Sequence, residues 1–124
     1  MYDSGRENPL KEKSYSFSRR IIKMQRYLAE VRREFVISKQ ILRSGTSIGA
    51  NISEAQFGQG LKDFAHKLSV AQKEAAETLY WLNLLHDSKY ITGKQFESMK
   101  QDCEELLKLL TASIKTAKSR LLGD

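Results

Sequence analysis

Two stretches of this chain contain residue types that could carry out catalysis. Residues 45–49 read Gly-Thr-Ser-Ile-Gly, the Gly-x-Ser-x-Gly pattern of hydrolases, in which the serine lies on a strained turn between a strand and a helix. The apolar residues around this serine keep the spacing of a helix, and no strand pattern precedes it. A chain of 124 residues is also too short for a hydrolase sheet, so the pattern does not predict a serine hydrolase.

The second stretch contains Glu74 and Glu77. Carboxylates three residues apart share a helix face and could act as acid and base or bind a metal. Metal-binding carboxylates in helical bundles occur as Glu-x-x-His pairs, which this sequence lacks. His66 and His86 have no zinc or iron pattern around them, and a single cysteine, Cys103, cannot build a multi-cysteine site. We therefore expect no catalytic site, no metal, no cofactor and no small-molecule substrate, in a protein that is not an enzyme.

A row of cations is the stronger functional signal. Arg19, Lys23, Arg26 and Arg33 recur at steps of four, three and seven residues, which places them on one face of a helix, nearly opposite its apolar face. Cation arrays of this kind bind phosphate backbones without reading the bases. With their neighbours, the predicted nucleic-acid-binding residues are Arg19, Arg20, Lys23, Arg26, Arg33 and Lys39. The alternative is an ordinary solvated helix face, whose positive charge is reduced by nearby glutamates.

The charge of the chain is uneven along its length. It carries 21 Lys and Arg against 15 Asp and Glu, a net charge of +6. Residues 1–60 hold 11 of the cations and 6 of the acids, whereas residues 61–124 hold 10 and 9. The excess in the first half favours an anionic partner, above all RNA or DNA, although a modest positive charge also serves solubility.

A run of apolar residues further along indicates a subunit interface. Residues 79–85 read Leu-Tyr-Trp-Leu-Asn-Leu-Leu. If Leu82 and Leu85 point into a helical bundle, Tyr80, Trp81 and Leu84 lie on other faces, so this helix must be covered on more than one side. Trp and Tyr are enriched at the energetic centres of interfaces. We expect these three residues in a homo-oligomer interface; the alternative is a broad core within one chain.

Four helices must position these residues. Apolar residues repeat at alternating steps of three and four, which predicts helices at about 14–33, 36–57 and 61–87, and a fourth that follows an N-cap at Thr92. Gly58 and Gly60 separate the second helix from the third. Because the connections are short and no strand pattern occurs, the sequence predicts an all-α, antiparallel up-down-up-down four-helix bundle.

The second predicted helix is unusually rich in small residues. A glycine inside a helix costs roughly 1 kcal/mol relative to alanine, so close packing or function must compensate. A helix with so little bulk can lie very close to a neighbour. The small residues are Gly45, Ser47, Gly49, Ala50 and Ser53.

The turn between the second and third helices sets which residues face each other. If it centres on residue 59, facing residue numbers sum to about 118. Arg43 then faces Glu74 or Glu77, Ser47 faces Ala71, and Glu54 lies near Lys67. We therefore expect Arg43, Glu74 and Glu77 to form a partly buried ionic network that fixes helix register; the alternative is a polar site that binds a ligand.

The N-terminal residues differ in composition from the rest. Residues 1–13 are polar and contain no apolar signal region, so we predict a flexible arm at 1–13 followed by a single domain at 14–120. Nowhere do about 18 apolar residues run together, as a membrane span requires. We expect a cytoplasmic protein that does not bind membranes.

The second and third predicted helices carry the features of a known family. Residues 40–55 read Gln-Ile-Leu-Arg-Ser-Gly-Thr-Ser-Ile-Gly-Ala-Asn-Ile-Ser-Glu-Ala, and residues 71–82 read Ala-x-x-Glu-Ala-x-Glu-Thr-x-Tyr-Trp-Leu. From about Ser16 to Ile114 the chain resembles the four-helix bundle protein family, also called the 23S rRNA intervening-sequence-encoded protein family. The matching positions are Gln40, Arg43, Ser47, Ile48, Asn51, Glu54, Glu74, Glu77 and Trp81.

The resemblance implies bundles that assemble into ring-like pentamers with a central channel. A basic relative works beside a reverse transcriptase, which suggests a scaffold for a nucleic-acid enzyme. Many members have proline and glycine where this chain has Gly49 and Ala55, so the bend that proline introduces is not expected here. We predict a non-enzymatic homopentamer that binds the RNA or DNA backbone. The alternative is a protein-interaction module with an acidic protein partner.

Overall fold

The computed structural model describes residues 8–123 as four α-helices joined by short connections. The helices are α1 (Pro9–Glu30), α2 (Ile37–Gln56), α3 (Leu61–Asp87) and α4 (Gly93–Leu121). α1 packs on α2, α2 on α3 and α3 on α4, and α1 also contacts α4, which closes the bundle. The predicted all-α four-helix bundle is confirmed.

The first helix begins earlier than predicted. Asn8 Oδ1 accepts a hydrogen bond from the Lys11 backbone N–H at 3.2 Å, and Pro9 lies in the first turn, where its missing N–H leaves no bond unmade. Leu10 is buried in the core. The helix thus includes residues 9–13 of the predicted flexible arm, which corrects that part of the prediction; residues 1–7 of the arm lie outside the described residues.

The core is built from the apolar faces that the residue spacing predicted. The large apolar side chains with almost no exposure are Phe17, Ile21, Leu28, Ile41, Ile48, Ile52, Leu68, Leu82, Leu85, Leu106 and Leu110. The predicted N-cap of α4 is confirmed as a reciprocal capping box: the Gln95 N–H donates to Thr92 Oγ1 at 3.1 Å, and the Thr92 N–H donates to Gln95 Oε1 at 2.8 Å.

The glycines of α2 explain how closely α1 and α2 approach. A Cβ placed on Gly45 would lie 2.6 Å from Cγ1 of Ile21 and 2.9 Å from its Cγ2. One turn further on, a Cβ on Gly49 would lie 3.3 Å from the Ser14 carbonyl oxygen. The packing of α1 against these positions therefore compensates for the poor helix propensity of glycine.

The connection between α1 and α2 is held by a buried carboxylate. Glu34 is only 8% exposed, and its oxygens accept hydrogen bonds from the backbone N–H groups of Val36, Ile37 and Ser38 at 3.2, 3.0 and 2.7 Å. Because the first N–H groups of a helix have no partner inside the helix, Glu34 takes the place of an N-cap side chain.

Among residues 8–123, no helix has both the length and the apolar character needed to cross a membrane.

Candidate nucleic-acid interface

Three exposed cations of α1 form a surface that we call the basic face: Arg19, Lys23 and Arg26. They span about 10 Å of helix, on the side opposite the buried Phe17 and Ile21. Within the described residues, no carboxylate lies within ion-pair distance of any of the three. Their charges are therefore available to an anionic ligand.

Arg20 does not share this exposure. Its guanidinium donates to Asp102 Oδ2 at 2.6 Å and to Ser98 Oγ at 2.7 Å, both on α4. Lys13, near the start of α1, lies 3.3 Å from Glu105 of α4. The side of α1 that faces α4 is thus held by ion pairs within the chain, and the row of uncompensated cations is narrower than predicted.

The last two predicted nucleic-acid-binding residues lie beyond α1. The helix ends at Glu30, so Arg33 does not continue the basic face as predicted. It has a positive φ of 55° and places its guanidinium over the Phe35 ring. Lys39 is exposed in the first turn of α2. Both residues therefore belong to the end of the bundle, where α1 joins α2.

The predicted network between α2 and α3 is present. Arg43 donates to both oxygens of Glu74, at 3.2 and 3.3 Å, and to Oε2 of Glu77. The side chain of Arg43 is 49% exposed, whereas Glu74 is 20% exposed, so the network lies nearer the surface than expected. The predicted proximity of Glu54 and Lys67 is confirmed by a 2.9 Å ion pair.

A buried hydroxyl pair at the same level was not foreseen. Ser44 and Thr78 have no solvent exposure, and their hydroxyl oxygens are 2.9 Å apart. Thr78 also donates to the Glu74 carbonyl at 2.8 Å. Ser44 and Thr78 both fall at positions that the helical spacing assigns to the apolar face. A polar residue at each of these positions was the only sign in the sequence that the two could pair. The pair links α2 to α3 inside the core, next to the ionic network.

The apolar surface of α3 contains the three predicted interface residues. Tyr80 is 60% exposed, and its ring lies edge-on to Trp81 with centroids 5.0 Å apart. Trp81 and Leu84 are half-buried. The Trp81 indole N–H donates to Glu77 Oε2 at 3.0 Å, which connects this surface to the ionic network.

A groove of about 800 Å³ runs between α1 and α2 beside the basic face. Its lining includes small residues such as Ser18, Gly49 and Ala50 and the larger side chains of Tyr15 and Ile22. Tyr15 is 70% exposed and Ile22 is 38% exposed. Cations and exposed apolar side chains therefore lie next to each other on α1.

Ser47 and Cys103 occupy positions inside helices. Ser47 lies within α2, where its hydroxyl donates to the Arg43 carbonyl at 2.7 Å, and it does not sit on a strained turn. Burial raises the pKa of the Cys103 thiol to about 12, so the thiolate needed for nucleophilic attack does not form near neutral pH. Within residues 8–123, no cluster of three His, Cys, Asp or Glu side chains is placed to hold a metal ion.

The ionic network gives a prediction for the pH dependence of stability. The Trp81 indole N–H and then Arg43 hold the pKa of Glu77 below its ordinary value of 4.5. A depressed pKa contributes stability above the ordinary value, and that contribution is lost as pH falls through the pKa of the folded state. Replacing Trp81→Phe removes the indole donor, so the free energy of unfolding should fall less steeply below pH 4.5 than in the wild type.

Urea unfolding across a series from neutral to acidic pH measures this slope. Tyr80→Phe is the matched control, because it alters the neighbouring aromatic residue without touching Glu77, and it should keep the wild-type slope. Identical slopes for Trp81→Phe and the wild type would contradict the role assigned to the indole.

Comparison with known proteins gives a consistent family assignment. The chain is similar to a crystal structure of a protein of unknown function from the S23 ribosomal protein family of Bacteroides thetaiotaomicron, with 53% sequence identity and a TM-score of 0.85 over 86% of this chain and 95% of that one. No curated protein matches the chain. The family model described as 23S rRNA-intervening sequence protein matches residues 6–112, a span that contains the basic face, the ionic network and the apolar surface of α3. The chain therefore belongs to the 23S rRNA-intervening sequence protein family.

Proposed function

We propose that this protein is a non-enzymatic, homo-oligomeric helical bundle that binds the phosphate backbone of RNA or DNA through the basic face. The observation that carries this proposal is the contrast along α1. Arg20 and Lys13 are neutralised by acids of α4, whereas Arg19, Lys23 and Arg26 have no partner within the described residues. An uncompensated row of cations is the feature that phosphate backbones bind without sequence preference.

The proposal includes an assembly of several copies, for which a pentamer is the expected size. The exposed ring of Tyr80 beside Trp81 supports it, because aromatic side chains on an exposed helix face are typical of interface centres. An oligomer would repeat the basic face several times and so raise the affinity for a long phosphate chain. Such an assembly, acting in the cytoplasm, could hold a nucleic acid for an enzyme that processes it.

The test compares two variants with the same loss of charge. In the first, the basic-face variant, Arg19, Lys23 and Arg26 are replaced by glutamine. In the control, glutamine replaces three exposed cations of α4, Lys108, Lys115 and Lys118. Binding to a fluorescent RNA duplex is measured by anisotropy over a salt series. Each lost phosphate contact reduces the slope of log affinity against log salt by about 0.9. The basic-face variant should therefore lose roughly 2 to 3 from this slope, and the control should lose far less.

Equal slopes of log affinity against log salt for the wild type and the basic-face variant would contradict the assignment of this surface to phosphate binding. Circular dichroism should show that both variants keep the helical fold, because all six side chains are exposed. Light scattering of the wild type, with and without the RNA, reports the number of copies in the complex.

A second candidate is a protein-interaction module for an acidic protein partner. The groove between α1 and α2 favours it, because Tyr15 and Ile22 offer apolar contact area that a phosphate backbone does not use. This function predicts a pull-down partner that is retained after nuclease treatment and lost in the basic-face variant. Loss of the partner on nuclease treatment would instead support direct binding of nucleic acid.

A further inference from the structure

The end of the bundle formed by the α1–α2 and α3–α4 connections carries an unusual surface. Val31, Phe35 and Val36 are 65%, 48% and 72% exposed. Three large apolar side chains in one short connection are not explained by the core, which they do not enter. We call this surface, together with Arg33 and Lys39, the end platform.

The end platform is rigid. The Glu34 carboxylate binds three successive backbone N–H groups of the connection and of α2. From the other side, the Arg32 guanidinium donates to the carbonyl oxygens of Lys89 and Tyr90 at 3.0 and 2.9 Å, which ties the α1–α2 connection to the α3–α4 connection. The exposed side chains are therefore presented by a fixed backbone and do not belong to a loose loop.

Backbone strain is concentrated at the same end. Within residues 8–123, the non-glycine residues with positive φ are Arg33 at 55° and Lys89 at 65°, one in each connection. This conformation is unfavourable for residues with a Cβ, and here both residues follow helix C-termini, where chains commonly adopt it. At one of these two residues the side chain is layered on its neighbour: the Arg33 guanidinium lies over the ring of Phe35, 5.0 Å from the ring centroid.

The charge of the end platform selects an anionic ligand. The Glu34 carboxylate is bound by backbone N–H groups. The residue is only 8% exposed, so it contributes little negative charge to the surface. The exposed charged residues around the platform are the cations Arg32, Arg33, Lys39 and Lys89 and the acids Glu30 and Asp87. The cations thus outnumber the acids on a surface that also exposes the Phe35 ring.

We propose that the end platform binds unpaired nucleotides of single-stranded RNA or DNA. Single-stranded nucleic acids are bound by aromatic rings and arginine planes on which bases stack, with cations nearby for the phosphates. The layered pair of Arg33 and Phe35 provides such a stack, and Lys39 lies in the adjoining first turn of α2 to meet a phosphate. A second layered pair, Arg32 over the Tyr90 ring at 5.3 Å, extends the same surface.

The end platform would complement the basic face. A duplex has no unpaired base that the platform could bind, so the two surfaces would respond differently to duplexes and single strands. This inference rests on the proposed binding of nucleic acid, yet it makes a separate prediction. The basic face contacts backbone in any strand, whereas the end platform distinguishes single strands from duplexes.

The test uses a labelled single-stranded RNA of mixed sequence and the blunt duplex of that same strand, with affinities measured by anisotropy. Phe35→Ala should weaken binding of the single strand by roughly 5- to 100-fold, the range that loss of one stacked base gives, and leave duplex binding unchanged. Phe35→Tyr should restore single-strand binding because it keeps the ring. Phe57→Ala is the matched control, since Phe57 is also an exposed phenylalanine, 76% exposed, at the opposite end of the bundle.

The outcomes separate the two proposals. If the wild type binds both probes and Phe35→Ala binds them as well as the wild type, the platform proposal is overturned while the basic face stands. Equal weakening of both probes also overturns it, since the proposal requires an unpaired base, which the duplex does not contain. If the basic-face variant keeps the wild-type salt slope and Phe35→Ala still loses the single strand selectively, the platform stands and the basic face falls. If the wild type binds neither probe at low salt, both proposals fall and the exposed apolar residues are assigned to a protein partner.

Discussion

Replacing Gly45 with valine should destabilise the bundle by about 3 kcal/mol, at the upper end of the cost of overfilling a packed core. The Cβ alone would lie within 3 Å of three side-chain carbons of Ile21. Ile21 is fully buried and branched at Cβ, so it has little freedom to move aside. The expected result is a lower midpoint in urea unfolding with little change in the slope, because the same surface is exposed on unfolding.

Two further variants make this prediction specific. Ile21→Ala combined with Gly45→Val removes the opposing carbons, so the double variant should be more stable than the sum of the two single effects implies. Gly93→Ala serves as the control: a Cβ there would meet only His86 Nε2, at 3.8 Å, and alanine favours the helix. Strict additivity in the double variant would show that α1 and α2 do not approach as closely as described.

Replacing Glu34 with alanine should cost about 2 kcal/mol, as expected for hydrogen bonds to a charged group. The substitution leaves the first N–H groups of α2 without their carboxylate partner. It also loosens the connection that holds Arg33 over Phe35, so single-stranded RNA should bind more weakly although neither residue is altered. Thermal unfolding followed by circular dichroism gives the stability, and anisotropy with the single-stranded probe gives the affinity.

Glu30→Ala is the control for this effect. Glu30 is exposed at the end of α1 and has no ion pair within the described residues, so its loss should change stability by less than about 0.5 kcal/mol. If Glu34→Ala were as stable as Glu30→Ala, the buried carboxylate would not be the cap of α2.

The arrangement of the four helices could be predicted because it depends on local patterns. Apolar spacing placed most core residues of the four helices, although it missed Leu10 and Ile52, which are buried. The two glycines after α2 set the register that brings Arg43 to Glu74. The limits of α1 were harder to predict. Its start depends on the cap formed by Asn8. It ends at Glu30, and the buried carboxylate of Glu34 then caps the start of α2.

The candidate site was less predictable, because charge compensation depends on contacts between distant parts of the chain. Arg19 and Arg20 are adjacent in sequence and equally basic. Only the position of α4 decides that Arg20 meets Asp102 whereas Arg19 meets solvent. The hydroxyl pair of Ser44 and Thr78 has the same origin, since each residue alone reads as an ordinary polar interruption of an apolar face.

The up-down order of the helices separates the two ends of the bundle by the length of a helix. Asn8 and Leu121 lie at the end of the bundle that holds the α2–α3 connection, whereas the end platform lies at the other end. The 29 residues of α4 span about 43 Å at 1.5 Å per residue. A partner bound beside Leu121 would therefore stand about 4 nm from a ligand bound at the end platform.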